Sequence, residues 1–222
     1  MGAHFITGTG TDIGKTWLAC ALLRHWRAAG VPVAAFKPVL SGFDPAQPAA
    51  SDAGALLAAL GQTAGAAELD AIAPWRFAAP LSPDMAAARE GRAIDFEQLV
   101  AYTRRSAGAD SGMTLVEGVG GVMVPLDATR TVRDWIAASG LPCVLVTGSY
   151  LGSLSHALTA LEALARVGAG VTAIAVNESP QSTVALDATL ASLEAHVAGI
   201  PLVAIERERP AAAVVRLAGL LK

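Results

Sequence analysis

Thr7-Gly8-Thr9-Gly10-Thr11-Asp12-Ile13-Gly14-Lys15-Thr16 joins a short apolar run, residues 4–7, to an amphipathic stretch that begins near Lys15. A strand, a glycine-rich turn and a helix in that order form a phosphate-binding loop. The glycines let backbone N–H groups turn inward around phosphate oxygens, the helix start adds the positive end of its dipole, and Lys15 supplies a full charge. Thr16 offers a hydroxyl for Mg²⁺. The spacing is not the usual G-x-x-x-x-G-K-[ST], which would place glycine at position 9, where this chain has Thr9. A chance Gly-Lys-Thr in an ordinary turn would not require strand, glycines, lysine, hydroxyl and amphipathic helix to fall in sequence. The loop is therefore read as a nucleotide site, with Gly10, Thr11, Asp12, Ile13, Gly14, Lys15, Thr16 and Trp17 as its contacts.

Outward from this unit, short apolar runs alternate with longer amphipathic segments, the pattern of a βαβ series. Strands are expected at 4–7, 33–36, 113–117, 143–147, 171–177 and 202–205, each apolar enough to be buried on both faces. Helices are expected at 15–29, 52–60, 95–107, 132–139, 153–167, 183–196 and 211–221. The expected fold is a single-domain α/β protein of the P-loop NTPase type over residues 1–222, with a mostly parallel sheet and helices on both faces. Residues 37–83 break the alternation: Pro38, Pro45, Pro48, Pro74, Pro80 and Pro83 interrupt any long element. This segment is expected to be a substrate-handling excursion at the end of the sheet.

Composition narrows the function. Of the 222 residues, 53% are hydrophobic and 16% charged, a balance suited to one large compact core and not to disorder. The net charge of -3 comes without a Lys/Arg cluster, so a run of nucleic-acid phosphates has nothing to pair with and a small ligand is the expected partner. The longest stretch free of charge, residues 135–161, is broken by Gly140, Pro142, Gly148 and Gly152 and does not read as a membrane span. Cys20 and Cys143 fall in a predicted helix and a predicted strand, which suits a reducing cytoplasm, and residues 1–7 lack the basic start of a secretory leader.

A phosphate loop needs a carboxylate at the end of a nearby strand to hold Mg²⁺. Glu117 ends the run Met113-Thr114-Leu115-Val116-Glu117 and precedes Gly118-Val119-Gly120-Gly121, a turn free to approach phosphates or substrate. The alternative, a surface acid before a tight turn, is weaker, because the carboxyl end of a parallel strand points into the ligand crevice. Asp52 follows Ser51 at a helix start, where an N-terminal cap explains it as well as a metal role does. Lys37 ends the second strand; it is able to clamp charge on a transferring phosphoryl group, but an ordinary solvated lysine accounts for it equally. His4, His25, His156 and His196 lack metal-ligand spacing. Trp17, Trp26, Trp75 and Trp135 show no stacking period and are expected in the core or an interface.

With the loop, Phe36-Lys37-Pro38-Val39-Leu40-Ser41-Gly42, Ser51-Asp52-Ala53 and Val116-Glu117-Gly118-Val119-Gly120-Gly121 closely resemble the dethiobiotin synthetase family. The resemblance continues through Pro80-Leu81-Ser82-Pro83, Glu90-Gly91-Arg92, Leu151-Gly152-Ser153 with His156, and Ala175-Val176-Asn177, spanning nearly the whole chain. It implies conversion of 7,8-diaminononanoate, CO₂ and MgATP into dethiobiotin through a carbamate and its phosphoric anhydride. It further implies that Thr16, Asp52 and Glu117 surround Mg²⁺, that Lys37 and Ser41 face the carbamate, that Asp12 lies near the diamine, and that Asn177 meets adenine. Lys15, Lys37 and Asp12 are the implied catalytic set, and Ser41, Pro80, Leu151, Gly152 and Ser153 the substrate contacts. A homodimer is implied, with the diamine site completed across the interface near residues 150–156. Gly10 stands where the family commonly has Asp or Asn, Tyr150 and Ser155 where some members have Lys and Asn, and Ile205-Glu206-Arg207 lacks the usual Gly-x-Ile-Pro-like run. ParA- and MinD-like regulatory ATPases, the main alternative, carry a further lysine where this chain has Gly10. Amide-forming cobyrinate synthases carry a glutaminase domain for which the chain has no room.

Overall fold

In the computed structural model, which describes residues 2–108, 112–180, 182–197 and 199–222, β1 (Ala3–Gly8) lies inside a six-stranded, all-parallel sheet. On one side it pairs with β5 (Met113–Glu117), which pairs in turn with β2 (Val33–Phe36). On the other it pairs with β6 (Cys143–Gly148), followed by β7 (Val171–Asn177) and β8 (Leu202–Ile205). The chain therefore builds outward from β1 in both directions, and the crevice at its carboxyl end is where such sheets take ligands.

Neighbouring residues along a strand go to opposite faces. Ile6, Leu115, Val146 and Ala175 join a core under α1 (Lys15–Ala28), α2 (Asp52–Leu60) and α9 (Ala211–Leu220). Phe5, Val116, Leu145 and Val176 join a second core under α5 (Phe96–Gly108), α6 (Val132–Ser139), α7 (Ser153–Ala165) and α8 (Leu186–Glu194). Burial on both sides explains why these strands read as unbroken apolar runs. In the second core the Trp135 ring stands edge-on to Phe5, with centroids 4.8 Å apart, and its indole N–H donates to Thr103 Oγ1 at 2.9 Å. His4 is buried in β1, with its Nε2 2.9 Å from the Leu221 carbonyl.

All the expected strands form, and the α/β, mostly parallel arrangement with helices on both faces is the one observed. Helix ends move by a few residues: α8, expected from 183, starts at Leu186, because the Ser182 hydroxyl accepts from the Val184 N–H in a local turn. Residues 37–83 are more ordered than their prolines suggest. They hold β3 (Val39–Ser41), a 3-10 turn (Pro48–Ala50), α2, α3 (Ala66–Ile72) and β4 (Trp75–Phe77), and α4 (Pro83–Arg89) follows. The prolines begin elements instead of breaking them: Pro48 and Pro83 sit at first helical positions, where the missing N–H costs nothing. β3 and β4 pair in parallel as a small separate sheet. Among the described residues, no helix is long and apolar enough to cross a membrane.

Candidate active site

The loop leaves β1 at Gly8, where a β-carbon would lie 2.4 Å from Ile13 Cδ1 and 3.0 Å from the Val146 carbonyl. Asp12 has φ 57, the one positive value outside glycine among the described residues, and Gly14, at φ 91, caps α1. The space a side chain would need at Gly14 is filled by Asn177, whose Nδ2 would be 2.4 Å from a β-carbon there and donates to the Ile13 carbonyl at 2.6 Å. The loop is thus tied to the end of β7. Lys15 is 6% exposed and donates to the Gly10 carbonyl at 2.6 Å. Burial, then the nearby Lys37 charge, push its ammonium down to about 8, against the partial support of Glu117, Asp52 and Asp12.

Behind the loop, Lys37 is 2% exposed just beyond β2 and Glu117 is 1% exposed at the end of β5. Lys37 Nζ reaches Glu117 Oε1 at 2.5 Å, Asp52 Oδ2 at 2.9 Å and the Gly118 carbonyl at 2.9 Å. An ammonium has three donors, and all three are used. Burial works against the Lys37 charge, but Glu117 and Asp52 outweigh it and raise the amine above its ordinary value. Burial also works against the Asp52 carboxylate, and the Lys37 charge with hydrogen bonds from Lys37 and Thr16 holds it below the usual range.

The two readings open for Asp52 separate at this point. Ser51 is the cap of α2, accepting from the Gly54 N–H at 3.1 Å and donating to the Pro48 carbonyl at 2.6 Å, so Asp52 is free to face Lys37. Lys37, for its part, is not a solvated lysine.

Thr16 Oγ1 donates to Glu117 Oε1 at 2.7 Å, while Glu117 Oε2 is buried without a protein partner. An orphaned carboxylate oxygen, a second carboxylate at Asp52 and a hydroxyl form an oxygen set suited to Mg²⁺, which holds few protein ligands and keeps its waters. Among the described residues, no group of three His, Cys, Asp or Glu is placed to cage a metal, so a softer ion held wholly by side chains does not fit. The Gly118–Gly121 turn lies across the loop: Gly118 N donates to the Ile6 carbonyl at 2.9 Å and Val122 N to the Gly8 carbonyl at 3.0 Å. A β-carbon at Gly121 would stand 3.0 Å from the Thr9 carbonyl. Val119 and Gly120, at φ 58, complete this turn.

A cleft of about 250 Å³ opens beside the loop, lined by Asp12, Ile13, Gly14 and Trp17 on one side and Asn177, Pro180 and Arg207 among others opposite. Trp17, expected in the core or an interface by its lack of period, is 44% exposed and walls this cleft. Glu178, Ser179, Pro180 and Arg207 were missed by sequence reasoning; their signal was position alone, directly after β7 and β8 at the same edge. Asp12 lines this cleft, not the Lys37 cluster. Ser41 Oγ is buried and unpartnered at the end of β3, and Pro80 leans on Gly42, 3.3 Å from where its β-carbon would be. Thr11 is exposed on the loop. Beyond β6, Leu151 is 88% exposed, Gly152 caps α7 at φ 98, and Ser153 Oγ is buried without a partner.

The family profile described as an AAA domain matches residues 3–210. An ATP-dependent dethiobiotin synthetase BioD from Acidiphilium cryptum is 52% identical over 90% of this chain and 91% of its own length. Among solved structures, the cell division ATPase MinD from Pyrococcus furiosus overlays with a TM-score of 0.57 at 16% identity, covering 99% of this chain and 98% of that one. Chloroplast FtsY from Physcomitrella patens overlays with a TM-score of 0.56 at 17% identity over 98% of this chain, which spans 65% of that longer protein. At these identities the two structures share the fold alone.

Two outcomes follow from the site's electrostatics. Because Lys15 is neutral above pH about 8 without ligand, and phosphates favour its ammonium, ATP binding should draw up a proton and weaken as pH rises from 8 toward 10. Titration calorimetry at about pH 9 in buffers of different ionisation enthalpy reads this uptake; affinity flat across that range would contradict it. Glu117→Gln should raise the Mg²⁺ concentration for half-maximal activity by about tenfold, the loss expected from weakening one oxygen of a metal set. Unchanged Mg²⁺ dependence in the folded variant would leave Glu117 as a purely structural partner of Lys37.

Proposed function

The chain belongs to the ATP-dependent dethiobiotin synthetase family, and from that premise we propose that it joins 7,8-diaminononanoate and CO₂ at the expense of MgATP, through a carbamate and a carbamic–phosphoric anhydride. It is a ligase that uses ATP to make dethiobiotin. The observation that carries the finer reading is the buried Lys37 ammonium, held by Glu117, Asp52 and Gly118 between the phosphate loop and the unpartnered Ser41 hydroxyl.

In the first step one amine of the diamine attacks CO₂, a C–N bond forms and a proton leaves, giving the carbamate. A carbamate oxygen then attacks the γ-phosphorus of ATP and the bond to ADP breaks. The second amine attacks the carbamoyl carbon, phosphate departs with the carbon–oxygen bond, and the five-membered ureido ring closes with loss of a proton. A carbamate is a weak nucleophile beside a polyanion, so the site's task is to cancel charge and align the reactants. Lys15 faces the phosphates from the loop. Lys37 and Ser41 hold the carbamate and the transferring group, and the raised amine of Lys37 keeps it a cation throughout. Bound by Thr16, Asp52 and Glu117, Mg²⁺ would neutralise charge on the phosphate oxygens. Asn177 offers an unpartnered Oδ1 to the base, with Trp17 beside it. Asp12, Leu151, Gly152, Ser153 and Pro80 are assigned to the diamine side.

We further read the enzyme as a homodimer that completes the diamine site near residues 150–156. An 88% exposed leucine at a helix start has little reason to be there unless a second copy covers it. Leu151→Asp should shift sedimentation at micromolar concentration to monomer and lower activity; monomeric wild type with full activity would remove the dimer from the reading.

The reaction is tested by omission. Purified protein is mixed with MgATP, bicarbonate and 7,8-diaminononanoate, each is left out in turn, and phosphate and the cyclic urea are followed by mass. Phosphate and urea should both vanish without the diamine or the carbon source. Brisk phosphate release with neither present, and no urea in the complete mixture, would favour a regulatory ATPase.

A further inference from the structure

Glu90-Gly91-Arg92 lies outside the nucleotide site, yet its side chains converge on one strand. Glu90 Oε1 accepts from the Ala78 N–H at 2.7 Å, Arg92 Nη1 donates to the Arg76 carbonyl at 2.9 Å, and the two side chains pair with each other at 2.9 Å. The Arg92 guanidinium also stacks over the Phe77 ring, 4.7 Å from its centroid. Gly91 makes this possible: at φ 64 it reverses the chain after α4, so that residues on both sides of it face β4.

The two backbone groups engaged flank Phe77. In a parallel ladder, a residue on a neighbouring strand donates to the carbonyl before its partner and accepts from the N–H after it. Arg92 and Glu90 make those same two bonds with side chains. β4 has β3 on one edge only, and its other edge would otherwise present bare polar groups.

What β4 holds in turn is the substrate side of the site. Ser41 is in register with Phe77, the Phe77 carbonyl accepts from the Phe43 N–H at 2.9 Å, and the Ala79 carbonyl accepts from the Gly42 N–H at 3.1 Å. Pro80 closes on Gly42, which sits at φ 74. The path of residues 77–80 therefore sets where the Ser41 hydroxyl points.

We propose that Glu90 and Arg92 are positioning residues for the synthesis reaction: their ion pair takes the place of a third strand beside β4 and so fixes Ser41 and Gly42 against the substrate. The inference rests on the reading of Ser41 as a substrate contact. The phosphate loop is held by other elements, β1, β6 and β7, and is independent of this clamp.

The test uses the full-length enzyme with Glu90→Ala, Glu90→Gln, Ser41→Ala and the Ser41→Ala/Glu90→Ala pair. Glu90→Ala should raise KM for 7,8-diaminononanoate by about tenfold through misplacement of the substrate contact, while the dissociation constant of a non-hydrolysable ATP analogue stays within about twofold. Amide hydrogen exchange at residues 41–43 and 76–80 should quicken in the same variant. Glu90→Gln, whose side-chain oxygen still accepts from Ala78, should recover most of the loss. The double variant should be no worse than Ser41→Ala alone, because the two act through one contact. A normal diamine KM in Glu90→Ala, with Ser41→Ala impaired, overturns the clamp and leaves the Ser41 reading intact. A normal KM in Ser41→Ala overturns that reading, and the positioning role falls with it. Equal losses of diamine and nucleotide binding in Glu90→Ala would mean general damage and also overturn the proposal.

Discussion

A lysine ammonium with almost no access to water organises this molecule. Removing such a charge from solvent costs several kcal/mol unless every donor is met, and Lys37 meets all of its own with Glu117, Asp52 and the Gly118 carbonyl. Those partners come from the end of β5, the start of α2 and the turn after β5, so one group fixes the relative placement of three parts of the chain. Thr16 extends the network into the phosphate loop through Glu117. The arrangement is strong because it is complete, and it confers a single geometry: loss of either carboxylate would leave a buried charge short of a partner.

The sheet and the loop were legible in the sequence for a physical reason. A strand buried on both faces must be apolar throughout, and a phosphate loop must place glycine, lysine and hydroxyl in fixed order, so both leave strong local traces. The small sheet left none. β3 and β4 are too short to show a period, and the prolines around them read as interruptions when several are in fact starting points. Asp52 was ambiguous because Ser51 and Asp52 are both capable caps, and only the observed bond from Gly54 assigns that task to Ser51. Trp17 illustrates the opposite limit: a tryptophan on an amphipathic helix reads as core, while its exposure beside the loop depends on how β7 and β8 end.

The base cleft and the phosphate loop are not independent parts. Asn177 fills the space left by the missing side chain of Gly14 and donates to Ile13, so the residue nearest the base also braces the turn that wraps the phosphates. A change at either position is felt at both, which is why neither a larger residue at 14 nor a smaller one at 177 is a local substitution.

β1 forms its ladder with residues far along the chain: Ile6 lies opposite Glu117 and Gly8 opposite Val146. As the protein emerges from the ribosome, its first strand and phosphate loop therefore have no partner until well over half the chain has been made. Parallel pairings across such separations are slow to form and leave apolar strands uncovered in the meantime. The nucleotide site, first in the sequence, is among the last features to be assembled, and the nascent chain depends on whatever shields Phe5 and Ile6 during that wait.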